Sequence, residues 1–200
     1  MSHFIGLVFV DTKITDIENL LAPFNERDDN YYEFFDCTEE VEETFNSLPD
    51  KDEDKKTKHP CDKEHYPTIK SLAEDWFGYE EIDGKYGHFA NPNAKYDWYQ
   101  DGGWGGFIYG KDGDGYNSLP FNDIDWDAML STTKNHIPDC FVDMFGLWFE
   151  RGNMGWWGIS TNEKPKNIWD DEFKEFINSV LKMKDTDKEN IVVYAVDFHI

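Results

Sequence analysis

The chain is short of positive charge: against 42 aspartates and glutamates it carries 19 lysines and arginines, a formal net charge of −23. Arg27 and Arg151 are its only arginines. Phosphate contacts need neutralising Lys and Arg, so this balance argues against direct nucleic-acid binding. Such a surface could imitate nucleic acid toward a basic partner, while simply keeping the protein soluble is the stronger reading of charge alone. No apolar run reaches the roughly 18 residues that would predict a membrane-spanning helix. The opening MSHFIGLVFVD lacks a basic flank and a small-residue cleavage site, and reads as a first strand, not a signal peptide. Cysteine is scarce too. Cys37, Cys61 and Cys140 are odd in number and irregular in spacing, which argues against a disulfide scaffold and fits a reducing cytoplasm. There is neither a GK[ST] phosphate loop nor a GxSxG elbow.

Aromatic residues are what the chain has in excess, at 17% of its length. They predict a packed globular core over a single domain, residues 1–200. Phe4 to Val10 reads as a buried strand, and Thr15 to Glu18 as a capping box opening a short helix. YYEFFD (31–36) reads as a second strand, followed by an acidic helix capped by Thr38. Residues 50–67 read as a flexible charged loop, after which Thr68 caps a further helix ending at Gly78. CFVDMFGLWFERGNMGWWGIS (140–160) suggests two strands joined through Arg151-Gly152-Asn153. Apolar residues at 169, 173, 176, 177, 180 and 181 mark a helical stripe, and NIVVYAVDFHI closes the chain as a strand. The order predicts an α+β fold, a mostly antiparallel sheet with helices on one face. A ferredoxin-like sandwich with a large central insertion is the first expectation.

Candidate chemistry gathers in four places. In NPNAKYDWYQDGGWGGF (91–107) the glycines suit tight turns, while Trp98, Tyr99 and Trp104 could stack on a planar ligand with Lys95 and Asp97 as polar groups. Asp197 and His199, two apart on a strand, share a face and could do acid–base work. Arg151, beside the Trp156-Trp157 pair, could hold an anion or pair with Asp97. His59, Cys61 and His65 offer three zinc donors but lack a second half-site, so a solvated loop is the stronger reading there. DGDG (112–115) reads as a β-turn. Charge is also concentrated: Glu26 to Asp83 holds 20 acidic and 7 basic residues, which marks an acidic face around Glu39, Glu40, Glu42, Glu43, Asp50, Asp52, Glu53 and Asp54.

Three segments together resemble a family of small proteins encoded by phages, prophages and some bacteria. They are NPxAK[YW]DWYxxGG at Asn91–Gly103, ERGxMGWWG at Glu150–Gly158 and VDxHI at Val196–Ile200. The resemblance covers mainly the last 110 residues and implies a phage or mobile-element context, with no established activity attached. Members commonly carry Arg-Trp after the Gly-Gly; here the chain reads Trp104-Gly105. The expectation is therefore an acidic, cytoplasmic binding protein without a resident cofactor. It would inhibit a basic host protein, such as a nucleic-acid-handling or defence nuclease, through a nucleic-acid-like negative surface. The competing expectation is a nucleotide-like small-molecule site or enzyme built from the aromatic-glycine loop, Arg151, Asp197 and His199.

Overall fold

The computed structural model describes residues 3–50, 61–102, 107–131, 136–154 and 160–200, without the side chains of Met154 and Ser160. Along the chain the strands are β1 (His3–Asp11), β2 (Glu33–Asp36), β3 (Glu80–Ile82), β4 (Lys85–Ala90), β5 (Trp98–Asp101), β6 (Ile108–Tyr109) and β7 (Gly115–Tyr116). They continue with β8 (Ser118–Pro120), β9 (Cys140–Val142), β10 (Trp148–Glu150), β11 (Asn153–Met154), β12 (Ser160–Thr161) and β13 (Ile191–His199). The helices are α1 (Ile17–Leu21), α2 (Thr38–Ser47), α3 (Ile69–Ser71), α4 (Trp126–Met129), α5 (Lys166–Leu181) and α6 (Asp185–Lys188). The fold is α+β with mostly antiparallel pairing.

The chain divides into two compact units. One comprises Met1–Asp28 with Asn93–Ile200; the other is Asp29–Pro92. In the larger unit the main sheet runs β10-β9-β1-β13-β5, with β8 also on β13. β1 and β13 lie at its centre and are apolar on both faces, because both faces are covered. Leu7, Phe9, Val193 and Ala195 join Trp169, Phe173, Ile177 and Val180 of α5 in one core. Phe4, Val8, Val10, Val196 and Phe198 join Leu20, Leu21 and Tyr96 in the other. So the long helix lies on one face, and the short α1 covers the opposite one. Gly6 is required by close approach: a Cβ there would sit 2.5 Å from Phe198 and 2.6 Å from Cys140.

Strand order departs from a ferredoxin-like sandwich. β9, the first strand of the β9–β10 hairpin, lies beside β1 and parallel to it. The hairpin turn also differs from expectation. It falls at 143–147, where the Asp143 carboxylate accepts N–H bonds from Phe145 and Leu147 and Gly146 takes a φ of 81°. Arg151-Gly152 leads instead into β11, which pairs with β12. Asp16, not Thr15, caps α1 by accepting from Asn19 N–H at 2.8 Å. DGDG forms the expected turn, with Gly113 N–H on Gly110 O between β6 and β7.

In the smaller unit β2, β4 and β3 form an antiparallel sheet, and Val41, Leu48, Leu72 and Ala73 form the core beneath α2. Thr38 opens α2 without capping it, and its hydroxyl accepts from Tyr86 N–H. Thr68 forms a full capping box with Ser71, and Gly78 ends the following π-helical turn at a φ of 71°. Residues 51–60 of the expected charged loop lie outside the described residues. Its remainder is anchored through Asp62, which is buried and accepts both the backbone N–H and the ring N–H of His65 at 2.9 Å.

Candidate functional site

The two longest strands pair over their full length, with His3 opposite His199 and Ile5 opposite Asp197. On the other side of β13, Trp98 of β5 stands opposite His199. Directly opposed residues share a sheet face. His3, Asp197, His199 and Trp98 therefore lie on the face that carries Leu7, Phe9, Val193 and Ala195, at the end where that apolar core runs out.

Each imidazole there is held by its own carboxylate. Asp197 accepts from His3 Nδ1 at 3.2 and 3.3 Å. Asp97 accepts from His199 Nδ1 at 2.7 Å and from Arg27 Nη2 at 2.9 Å. Since a carboxylate can only accept, it fixes the proton on Nδ1 and leaves Nε2 of the neutral ring as the acceptor. The rings meet edge to face, 4.9 Å apart between centroids at 78°. Trp98 stacks on His199 at 4.7 Å and 25°. His199 is 3% exposed, and its Nε2 has no hydrogen-bond partner among the described residues. The His3 side chain is 40% exposed. Of the two rings, His3 is thus the one a solute can reach.

The face continues towards the other edge of the sheet. In register, Ile5 is followed by Asp139 just before β9 and then by Arg151 just past β10. Asp139 accepts the Ile5 N–H at 3.2 Å. Burial raises the Asp139 carboxyl above its ordinary value, and the Ile5 N–H and the nearby Arg151 oppose that rise only in part. A groove of about 440 Å³ lies here, lined by His3, Phe4, Ile5, Phe107 and Asp139.

The arrangement corrects part of the expected site. Asp97, Trp98, Asp197 and His199 converge as expected. Arg151 does not join them: its Nη2 pairs with Glu163 at 3.0 Å. Three interstrand steps, about 14 Å, separate its position from Asp197. Asp97 is met by the other arginine, Arg27. Strand alternation sends Tyr99 to the opposite face, against Tyr96 and Phe198. Lys95 lies there too, its ammonium 2.8 Å from Glu150. Trp104 and Trp156 lie outside the described residues, as do His59, Asp52, Glu53 and Asp54. Among the described residues no group of three or more His, Cys, Asp or Glu is placed to hold a metal ion. Cys140, the cysteine of the larger unit, points to the other face, and burial pushes its thiol well up.

His3, Arg27 and Asp139 were not singled out from the sequence. For His3 a signal existed. The alternation His3-Ile5-Leu7-Phe9 mirrors Val193-Ala195-Asp197-His199, so antiparallel pairing of the two strands would bring the polar ends together.

No family model, no curated protein and no solved structure matches the chain. The site must speak for itself. Two carboxylate-held rings, one buried and one accessible, have the geometry of a base with its orienter, with no adjoining nucleophile among the described residues.

Proposed function

We propose that the larger unit is a small-molecule site at which His3 accepts and returns a proton, oriented by Asp197 and braced by the His199–Asp97 pair. The observation that carries this reading is the contrast between the two rings: both have Nδ1 fixed by a carboxylate, yet only His3 is open to solute. In such a pair the carboxylate holds the base in one tautomer and stabilises the imidazolium that forms. The stacked Trp98 blocks His199 from taking the same role. Nitrogen-15 NMR of the neutral imidazoles is expected to show the Nδ1–H tautomer for both rings. Diethyl pyrocarbonate is expected to acylate His3 quickly and His199 slowly, as mapped by mass spectrometry. Equal protection of the two rings, or an Nε2–H tautomer at His3, would remove the basis for the proposal.

A second reading rests on α2. Its ten residues include Glu39, Glu40, Glu42 and Glu43, all exposed, and no basic residue; Asp50 beyond it is exposed as well. In this reading the smaller unit engages a basic, nucleic-acid-handling host protein, in the phage context that the sequence resemblance suggests. Exposed charge attracts over a Debye length and is screened by salt. The association rate with such a partner is expected to fall steeply as ionic strength rises. Changing the four glutamates to glutamine should flatten that dependence. A complex whose rate ignores salt would sink this reading.

A further inference from the structure

The groove beside His3 differs in character from the histidine pair. Its floor is the sheet itself, where Ile5 lies two residues along β1 from His3 and directly beside Asp139 on the same face. Phe107 lines it as well and packs edge to face on His136 at 5.3 Å. Its lining therefore offers apolar surface in the middle, a carboxylate at one end and an imidazole acceptor at the other. Volume and lining suit a small ligand with an apolar body and a few fixed polar contacts.

Both polar ends accept hydrogen bonds. Asp139 offers carboxylate oxygen, and His3 offers Nε2 because its Nδ1 proton is committed to Asp197. Among the described residues the cation that acts on Asp139 is Arg151, and it directs Nη2 to Glu163. The chain as a whole carries −23, so its field draws cations in and repels anions. An anionic ligand would meet a carboxylate head-on, whereas a cationic one adds to the partial compensation that Arg151, shared with Glu163, gives Asp139.

The geometry points to a primary amine on an aromatic or branched apolar body as the ligand class. Its ammonium sits on Asp139, its apolar body rests over Ile5 against Phe107, and its far end lies within reach of His3. This assignment rests on the small-molecule reading of the His3 site, and names what that site takes.

The test uses the full chain and three probes of similar shape: phenethylamine, phenethyl alcohol and phenylacetate. They are titrated while two sets of NMR signals are followed, the imidazole signals of His3 and His199 and the amides of Ile5 and Cys140. Phenethylamine is expected to saturate and move both sets, and the other two to bind at least about tenfold more weakly, as loss of a charge-assisted hydrogen bond implies. Asp139→Asn is expected to weaken the amine by a similar factor while leaving the alcohol unchanged. The comparison of probes on the unaltered protein stands even if that variant fails to fold. If the alcohol or the acid moves the His3 signals as strongly as the amine, the ligand class is wrong and the site reading survives. If no probe moves either set, both fall.

Discussion

Asp97→Ala is expected to lower the unfolding free energy of the larger unit by about 1–3 kcal/mol, the cost of leaving a buried polar group without its partner. The group is His199, 3% exposed, whose Nδ1 bonds Asp97 at 2.7 Å while its Nε2 has no partner among the described residues. Removing Asp97 leaves both nitrogens of a buried ring unmatched. Loss of the Arg27 contact adds little, because that side chain is 70% exposed and such pairs are worth under about 1 kcal/mol. Urea unfolding followed by tryptophan fluorescence measures the change. Asp97→Asn keeps a carbonyl acceptor for the Nδ1 proton and is expected to cost less than the alanine variant. The double change Asp97→Ala with His199→Leu is expected to recover part of the loss, since the polar group left stranded is then gone. A double variant as unstable as the two single losses added together would show that the pair is not coupled.

The same cluster shows what could be read in the sequence. Asp197 and His199 are two apart on a strand of β-branched residues, and spacing alone puts them on one face. Asp97 and Trp98 came into view because they sit in an unusual aromatic-glycine stretch. Lys95 and Tyr99 were grouped with them by closeness in sequence, and the pleat separates them. Which strand lies beside which is a tertiary fact. Thus the alternation of β1 brings His3 beside Asp197 and His199 only once the two strands are known to pair, and the position of Asp139 beyond it could not be read from local pattern. The hairpin shows a conflict of local signals: Arg151-Gly152-Asn153 resembles a turn, but Asp143 with Gly146, five residues before Arg151, closes the tighter one. Apolar periodicity placed α5 and β13 well, because each buries a continuous stripe. The acidic stretch from Glu26 to Asp83 largely coincides with the smaller unit, yet charge alone did not announce a unit boundary.

Trp169→Ala is expected to be the most destabilising single change considered, at about 3–5 kcal/mol. Trp169 is 2% exposed, leans on Phe141 at 5.6 Å, and donates its indole N–H to Pro138 O at 2.7 Å. Alanine would remove the ring, leave a cavity between α5 and β9, and strand a buried carbonyl. Trp169→Phe keeps most of the apolar volume and loses the hydrogen bond, so a smaller loss of about 1–2 kcal/mol is expected. Chemical denaturation with near-ultraviolet circular dichroism would rank the two. The indole bond also bears on the site, for Pro138 directly precedes Asp139. With the carbonyl of Pro138 released, the backbone that aims Asp139 loses its tie to α5. Trp169→Phe should therefore weaken phenethylamine binding more than it weakens phenethyl alcohol binding, although Trp169 does not line the groove. If the phenylalanine variant instead lowers stability and leaves amine binding intact, then β1, through the Ile5 N–H bond, is enough to place the Asp139 carboxylate by itself.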